Sequence, residues 1–136
     1  MITVTHDSHL PSEIAAGYVL HLDPKRLLGL GAMVTGPSTT WVIGHHFFVC
    51  LEAGPKRCRM LPLFSNEGPG RIALSTSGRR GHEKWTGGTF HYHPGQIWTI
   101  SRQAVARAAA DGGDFSRPGS RNVLDDAFVP ALPVDG

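Results

Sequence analysis

Histidines concentrate in the stretch from Gly81 to Trp98, where three of the chain's eight lie among aromatic, acidic and basic side chains. Two adjacent histidines, His45 and His46, stand earlier, at the start of an apolar run. Histidine exchanges protons near neutral pH and is also the commonest metal ligand in proteins. Two kinds of chemistry therefore have to be compared, metal binding and metal-free acid-base catalysis.

The metal hypothesis depends on His91 and His93, because alternate residues of a strand point to the same face. A third nitrogen from His46 would complete the set His46, His91 and His93, which suits a transition metal such as Zn or Fe. The segment HYHPG resembles the H-x-H of the cupin family, although that family's order of glycines, histidines and acid is not reproduced. The alternative is that these histidines only form hydrogen bonds at the surface of a sheet.

A surface for RNA or another anion is the second candidate, because basic and aromatic side chains occur together. Arg79, Arg80 and Lys84 offer charge to phosphates. The aromatic side chains that offer faces to bases are Trp85, Tyr92 and Trp98. The alternative is a solvated turn with a half-buried tryptophan, and the formal net charge of +2 does not by itself indicate nucleic-acid binding.

Metal-free cleavage of RNA by its own 2′-hydroxyl is the third candidate. This reaction requires a base, an acid and a cation that holds the phosphate. The histidines available to exchange the protons are His46, His82, His91 and His93. Glu83 could replace one of them, and the basic residues named above are the available cations.

Over residues 46–100 the order of segments resembles the MazF/PemK-like toxins. The matching pieces are the strand HFFVCLE, the strand MLPLFS, the glycine-arginine turn GPGR, and QIWTIS leading into a helix. The resemblance implies a small SH3-like barrel and a metal-independent, RNA-cleaving homodimer that a partner antitoxin neutralises. By position, Ser65 matches a Ser or Thr of that family, whereas His45 and His46 stand where it commonly has Arg-Pro. The loop around Arg79 would have to supply the charge of that arginine.

These observations lead us to predict a metal-independent endoribonuclease of toxin type, with RNA as its substrate and no cofactor. The predicted catalytic residues are His46, Ser65, Arg79, Arg80 and His82. The predicted substrate-binding residues are Lys84, Trp85, Tyr92 and Trp98. Two other classes stay open, a His-ligated metal protein of cupin-like type and a non-catalytic protein-interaction module, so the chain is not necessarily an enzyme.

Short strands must position these residues, because 17 Gly and 10 Pro in 136 residues imply many turns. We expect a mainly β or α+β fold, a small SH3-like, partly open β-barrel that forms a single domain. The longest predicted strand covers residues 39–51, with a bulge or bend at Gly44. Further strands are predicted at residues 57–64, 71–74, 89–93 and 96–100. The last two are expected to form a hairpin, and residues 75–88 are expected to form a long exposed loop.

The two ends of the chain have different patterns. Ser101 is a good helix cap, and the small apolar residues after it predict a C-terminal helix over residues 102–110. Residues 1–12 are expected to form a loose arm and residues 114–136 an extended tail. Three apolar side chains are expected to anchor this tail: Phe115, Leu124 and Phe128. The N-terminal residues lack the pattern of a signal peptide, and no apolar run is as long as a membrane span, so we expect a cytoplasmic protein.

Overall fold

The computed structural model describes residues 14–36, 44–111 and 121–132. Most of its regular structure is β. In chain order the strands are β1 (Val19–Leu22), β2 (Met33–Thr35), β3 (His46–Ala53), β4 (Arg57–Pro62), β5 (Ile72–Ala73), β6 (Arg79–Arg80), β7 (His91–Tyr92), β8 (Ile97–Ser101) and β9 (Val123–Leu124). The helices are α1 (Pro24–Gly29), α2 (Glu83–Thr86) and α3 (Arg102–Asp111), and a 3-10 turn covers Asp126–Phe128.

Five of these strands form one antiparallel sheet in the order β1-β3-β4-β8-β2. The other four form two short antiparallel ribbons, β5 with β7 and β6 with β9. The described sheets stay open and do not close into a barrel. The mainly β fold with a C-terminal helix that the sequence predicts is confirmed.

Both faces of the five-stranded sheet are covered. Alternation along β3 sends Phe48 and Cys50 to one face, and Phe47, Val49 and Leu51 to the other. The first face packs with α1 and α3 in what we call the helix-side core. The second face packs with α2 and residues of the ribbons in the ribbon-side core. Burial on both faces explains why FFVCL is an unbroken apolar run instead of an alternating one.

Helix α3 begins and ends close to the predicted positions. The Ser101 hydroxyl accepts a hydrogen bond from the backbone N–H of Ala104 at 3.1 Å, so it caps the helix as expected. The predicted apolar stripe is buried against the sheet: Ala104, Val105, Ala108 and Ala109. Small side chains allow this helix to lie close to the strands.

Two predictions about the stretch after β5 are wrong. Residues 75–88 are not one exposed loop, because β6 pairs with β9 and α2 buries Trp85. β7 and β8 do not form a hairpin, since β7 pairs with β5 while β8 lies between β4 and β2. The inner position suits β8 because Ile97 and Trp98 are both buried, one in each core.

The longest strand is shifted along the chain from its predicted range. β3 begins two residues after Gly44, whose φ of +75° makes the bend that was expected there. The irregularity in the pairing of β3 with β4 lies further on, between Cys50 and Glu52. The first residues of the predicted strand, 39–43, lie outside the described residues.

The C-terminal segment runs along the second face of the sheet. Leu124 is buried in the ribbon-side core, and its backbone N–H donates to the carbonyl of Gly17 at 2.7 Å. Phe128 is 39% exposed and lies over the backbone of Gly78. Leu124 is therefore an anchor, as predicted. Phe115 and the arm over residues 1–12 lie outside the described residues.

Replacement of Gly17 by alanine should destabilise the protein, because its φ is +93° and an added Cβ would lie 2.5 Å from the carbonyl oxygen of Leu124. We expect Gly17→Ala to lower the free energy of unfolding by at least about 1 kcal/mol in urea titrations. The control is Gly29→Ala at the end of α1, where an added Cβ meets nothing within 4 Å. That change should leave stability equal or raise it by up to about 1 kcal/mol. Equal stabilities of the two variants would contradict the close approach of the C-terminal segment to β1.

Candidate functional site

The two tryptophans predicted to line a binding groove are core residues. Trp85 and Trp98 are both fully buried, and they lie in opposite cores. The indole N–H of Trp85 donates to the carbonyl of Val123 at 3.2 Å, and its ring stacks against Phe90 with centroids 5.6 Å apart. Neither indole can stack on a base, so the prediction is wrong for both residues.

Arg79 holds the ribbon side together. Its guanidinium donates to the backbone carbonyls of Ser75, Trp85 and Gly88. It also lies 4.7 Å from the ring centroid of Trp85 and 5.3 Å from that of Phe90. Burial lowers the pKa of this guanidinium. Because its guanidinium contacts three carbonyls and two rings, Arg79 has a structural role in this fold.

Three other predicted catalytic residues lie on the surface without converging. Arg80 forms an exposed ion pair with Asp125 at 3.3 Å. His82 is exposed and caps α2, since its Nδ1 accepts from the backbone N–H of Lys84 at 3.1 Å. Ser65 is exposed in the turn that follows β4. The structure therefore does not assemble the predicted catalytic set.

The alternative metal set is not assembled either. Within residues 14–36, 44–111 and 121–132, no group of three or more His, Cys, Asp or Glu side chains lies close enough to hold a metal ion. His91 is buried on β7, and its neighbour Tyr92 is half-buried beside the ribbon-side core. His93 accepts a hydrogen bond from the backbone N–H of Gly95 at 3.0 Å. His46, His91 and His93 therefore do not form a metal-binding group among the described residues.

Three basic side chains act electrostatically on His21 at one end of the five-stranded sheet, and one of them stacks on its ring. We call these four residues the histidine cluster: His21, His45, His46 and Lys84. His21 is on β1 directly opposite Phe47, with ring centroids 5.0 Å apart. The exposed ring of His45 stacks on His21, with 5.3 Å between centroids and 21° between planes. Lys84 approaches from α2, and His46 is the first residue of β3.

The basic groups of this cluster disfavour protonation of His21. Burial first, and then the nearby basic groups His45, His46 and Lys84, together lower the pKa of His21 from 6.5 to about 4. Among the described residues, every charged group that acts on this pKa is thus a basic one. A bound anion would reverse this balance, because a nearby negative charge favours the protonated imidazole. The cluster is therefore suited electrostatically to an anionic ligand.

His46 is held in one tautomer. Its Nδ1 lies 2.8 Å from the backbone carbonyl oxygen of Leu63, which can only accept a hydrogen bond. Nδ1 must therefore carry the proton, and Nε2 is the proton acceptor of the neutral ring. The ring also meets the edge of Phe64, with centroids 5.5 Å apart. An imidazole fixed in this way is oriented to act as a base.

His45 and His46 lie on opposite sides of the strand end. His45 shares the ribbon-side face with His21, whereas His46 packs against Phe64 of the helix-side core. Adjacent residues of an extended chain point in opposite directions. A ligand lying across the beginning of β3 would therefore have one imidazole on each side.

His21 is the member of the cluster that the sequence does not single out. It lies in VLHL, where Val19 and His21 share the face that contacts the ribbon-side core. The sequence shows only a lone histidine in an apolar strand. Its position opposite Phe47 follows from the register that pairs β1 with β3. Lys84 was predicted, and its position beside His21 follows from the folding of α2 onto Phe47 through Trp85.

Comparison with known proteins found no family model, no curated protein and no solved structure that matches this chain. In the described part of the chain no helix is long and apolar enough to span a membrane. The histidine cluster is accordingly the main evidence on function.

Replacement of Arg79 tests its structural role. Arg79→Lys keeps the charge but loses the fork that reaches the carbonyls, so we expect the free energy of unfolding to fall by about 2 to 4 kcal/mol. The adjacent Arg80 is the control, because its exposed ion pair contributes little, and Arg80→Lys should change stability by less than about 0.5 kcal/mol. Urea unfolding of both variants provides the measurement. If Arg79→Lys is as stable as the wild type, the structural assignment is wrong.

The titration of His21 tests the geometry of the cluster. We expect its ring to titrate at about pH 4 in NMR spectra of the histidine side chains. Since the unfolded chain binds this proton more readily, stability should be complete above about pH 6.5 and fall as the pH drops towards 4. Lys84→Met should raise the pKa of His21, whereas Lys56→Met, in the turn at the far end of β3, should not change it. A His21 pKa close to 6.5 in the wild type would contradict the cluster.

Proposed function

We propose that this protein is a metal-independent ribonuclease and that the histidine cluster is its catalytic site. One observation carries the proposal: His45 stacks on His21 at one end of the sheet, and Lys84 and the tautomer-fixed His46 act electrostatically on the same His21. These groups are the acid, the base and the cation that cleavage of RNA by its own 2′-hydroxyl requires. The reaction class is the one that the sequence indicates, and His46 and Lys84 are kept from that prediction, whereas His21 and His45 replace its other catalytic residues.

The proposed reaction uses His46 and His45 on opposite sides of the phosphate. Nε2 of His46 takes the proton of the 2′-hydroxyl while its oxygen attacks phosphorus. The bond from phosphorus to the 5′-oxygen breaks, and His45 gives a proton to that leaving oxygen. The products are a 2′,3′-cyclic phosphate and a free 5′-hydroxyl, so the two histidines exchange protonation states in each turnover.

Lys84 and His21 have supporting roles in this proposal. Lys84 attracts the phosphate and stabilises the charge that develops on it. His21 is neutral in the free protein above about pH 4, and its ring fixes the stacked ring of His45. A bound phosphate raises the pKa of His21, so the site gains positive charge when substrate is present.

The resemblance of the strand and turn segments to MazF/PemK-like toxins supports RNA as the substrate, although His45 and His46 stand where that family commonly has Arg-Pro. That resemblance is also the basis for proposing a homodimer and an antitoxin partner. A cytoplasmic location is part of the same proposal.

The proposal is tested by incubating single-stranded RNA with the purified protein in excess EDTA. We expect cleavage that leaves 2′,3′-cyclic phosphate ends, and a loss of about 10² to 10⁴ in kcat for His46→Gln and for His45→Gln. His82→Asn is the matched control, because asparagine keeps the cap of α2 and His82 is not among the groups that lower the pKa of His21. Its rate should stay within a few-fold of the wild type.

Two results would overturn the proposal. One is the absence of cleavage by folded wild-type protein over a range of RNA sequences. The other is undiminished cleavage by both His45→Gln and His46→Gln, which would indicate a contaminating nuclease or a different site. Loss of activity in His82→Asn, with the cluster variants active, would favour the residues that the sequence predicts.

A further inference from the structure

We infer that Arg71, whose guanidinium lies over the ring of Phe64, is a second phosphate-binding group for the same RNA, on the His46 side of the sheet end. The nature of the ligand rests on the proposed function, whereas the position of the charge rests on geometry alone. Arg71 precedes β5 and lies outside the histidine cluster. It is not among the basic residues that the sequence predicts for substrate binding.

The guanidinium of Arg71 has a fixed position. Its central carbon lies 3.8 Å from the ring centroid of Phe64, and its Nη1 donates to the carbonyl oxygen of Asn66 at 3.1 Å. Its backbone N–H donates to the carbonyl of Gly68 at 3.0 Å, and an added Cβ at Gly68 would come within 3.1 Å of the Arg71 side chain. The turn after β4 therefore wraps this side chain and restricts its movement.

Within residues 14–36, 44–111 and 121–132, no carboxylate forms an ion pair with this charge. The ion pairs between described residues are Arg59 with Glu52 and Arg80 with Asp125, and Arg71 forms none. Arg79 and Arg102, by contrast, donate to several backbone carbonyls that bind different segments together. Arg71 has one such bond, within its own turn. A planar guanidinium with unused donors is the group that binds phosphate through two parallel hydrogen bonds.

Phe64 connects this charge to the catalytic site. The ring of His46 meets the edge of Phe64 at 5.5 Å between centroids, and Arg71 covers the same ring. Phe64 is 4% exposed, so it supports these two groups but cannot stack on a base. Lys84 lies with His45 on the other side of the strand end. RNA crossing from Lys84 to Arg71 would pass His45 and His46, with a phosphate contact on each side.

The test measures binding of a fluorescent single-stranded 2′-O-methyl RNA of about 12 nucleotides, which lacks the attacking hydroxyl and cannot be cleaved by the proposed route. Anisotropy titrations between about 50 and 200 mM salt give the affinity and its salt dependence. For Arg71→Gln we expect at least a roughly five-fold weaker Kd at low salt and a slope of log K against log salt that is smaller by about 0.7. Arg57→Gln, an exposed arginine at the far end of β4, should change neither quantity.

Two further variants separate a fixed charge from a merely positive surface. Arg71→Lys keeps the charge and loses the guanidinium that lies over Phe64, so we expect affinity between those of wild type and Arg71→Gln. Phe64→Leu keeps Arg71 and removes the ring under it, and a folded Phe64→Leu protein should also bind more weakly. Full affinity in Arg71→Gln would overturn the inference even if the protein is a ribonuclease. A reduced slope in Arg71→Gln, with no cleavage of ordinary RNA by the wild type, would support the inference and reject the ribonuclease proposal.

Discussion

The burial of β3 on both faces is the constraint on which the rest of the structure depends. Residues 47–51 are each at most 8% exposed, with Phe48 packed on Trp98 in one core and Phe47 packed on Trp85 in the other. A strand covered in this way can present reactive groups only at its ends. The amino-terminal end is where His45 and His46 stand, and β1 and α2 bring two further basic groups to it.

The histidine cluster does not stabilise the fold by itself. Placing basic groups together in a partly buried site is unfavourable, and the depressed pKa of His21 shows that the site responds by keeping this ring neutral. The structural arginines differ from the cluster, since Arg79 and Arg102 each donate hydrogen bonds to more than one backbone carbonyl. An anion would favour the protonated form of His21, which the neighbouring basic groups disfavour. This contrast is the physical reason for preferring a binding site to a structural one.

The sequence predicts well those features that local patterns determine. The apolar run FFVCL and the Ser101 cap with its alanine stripe led to the β fold and to α3. The sequence does not predict features in which a residue contacts a partner distant in the chain. Trp85 and Arg79 resemble parts of a mobile basic loop until residues 121–124 return to cover them. The role of His21 likewise depends on its pairing with Phe47. The pattern of residues in β1 alone does not predict the register that produces this pairing.

The central claim is that the histidine cluster receives a phosphate, and the pKa of His21 reports on it most directly. The account predicts that the pKa rises from about 4 towards its ordinary value when the 2′-O-methyl RNA binds, because the phosphate replaces repulsion from Lys84 and His45 with attraction. Side-chain NMR of the complex provides this measurement. If the RNA binds and His21 still titrates at about pH 4, the ligand lies elsewhere and the proposed site is wrong.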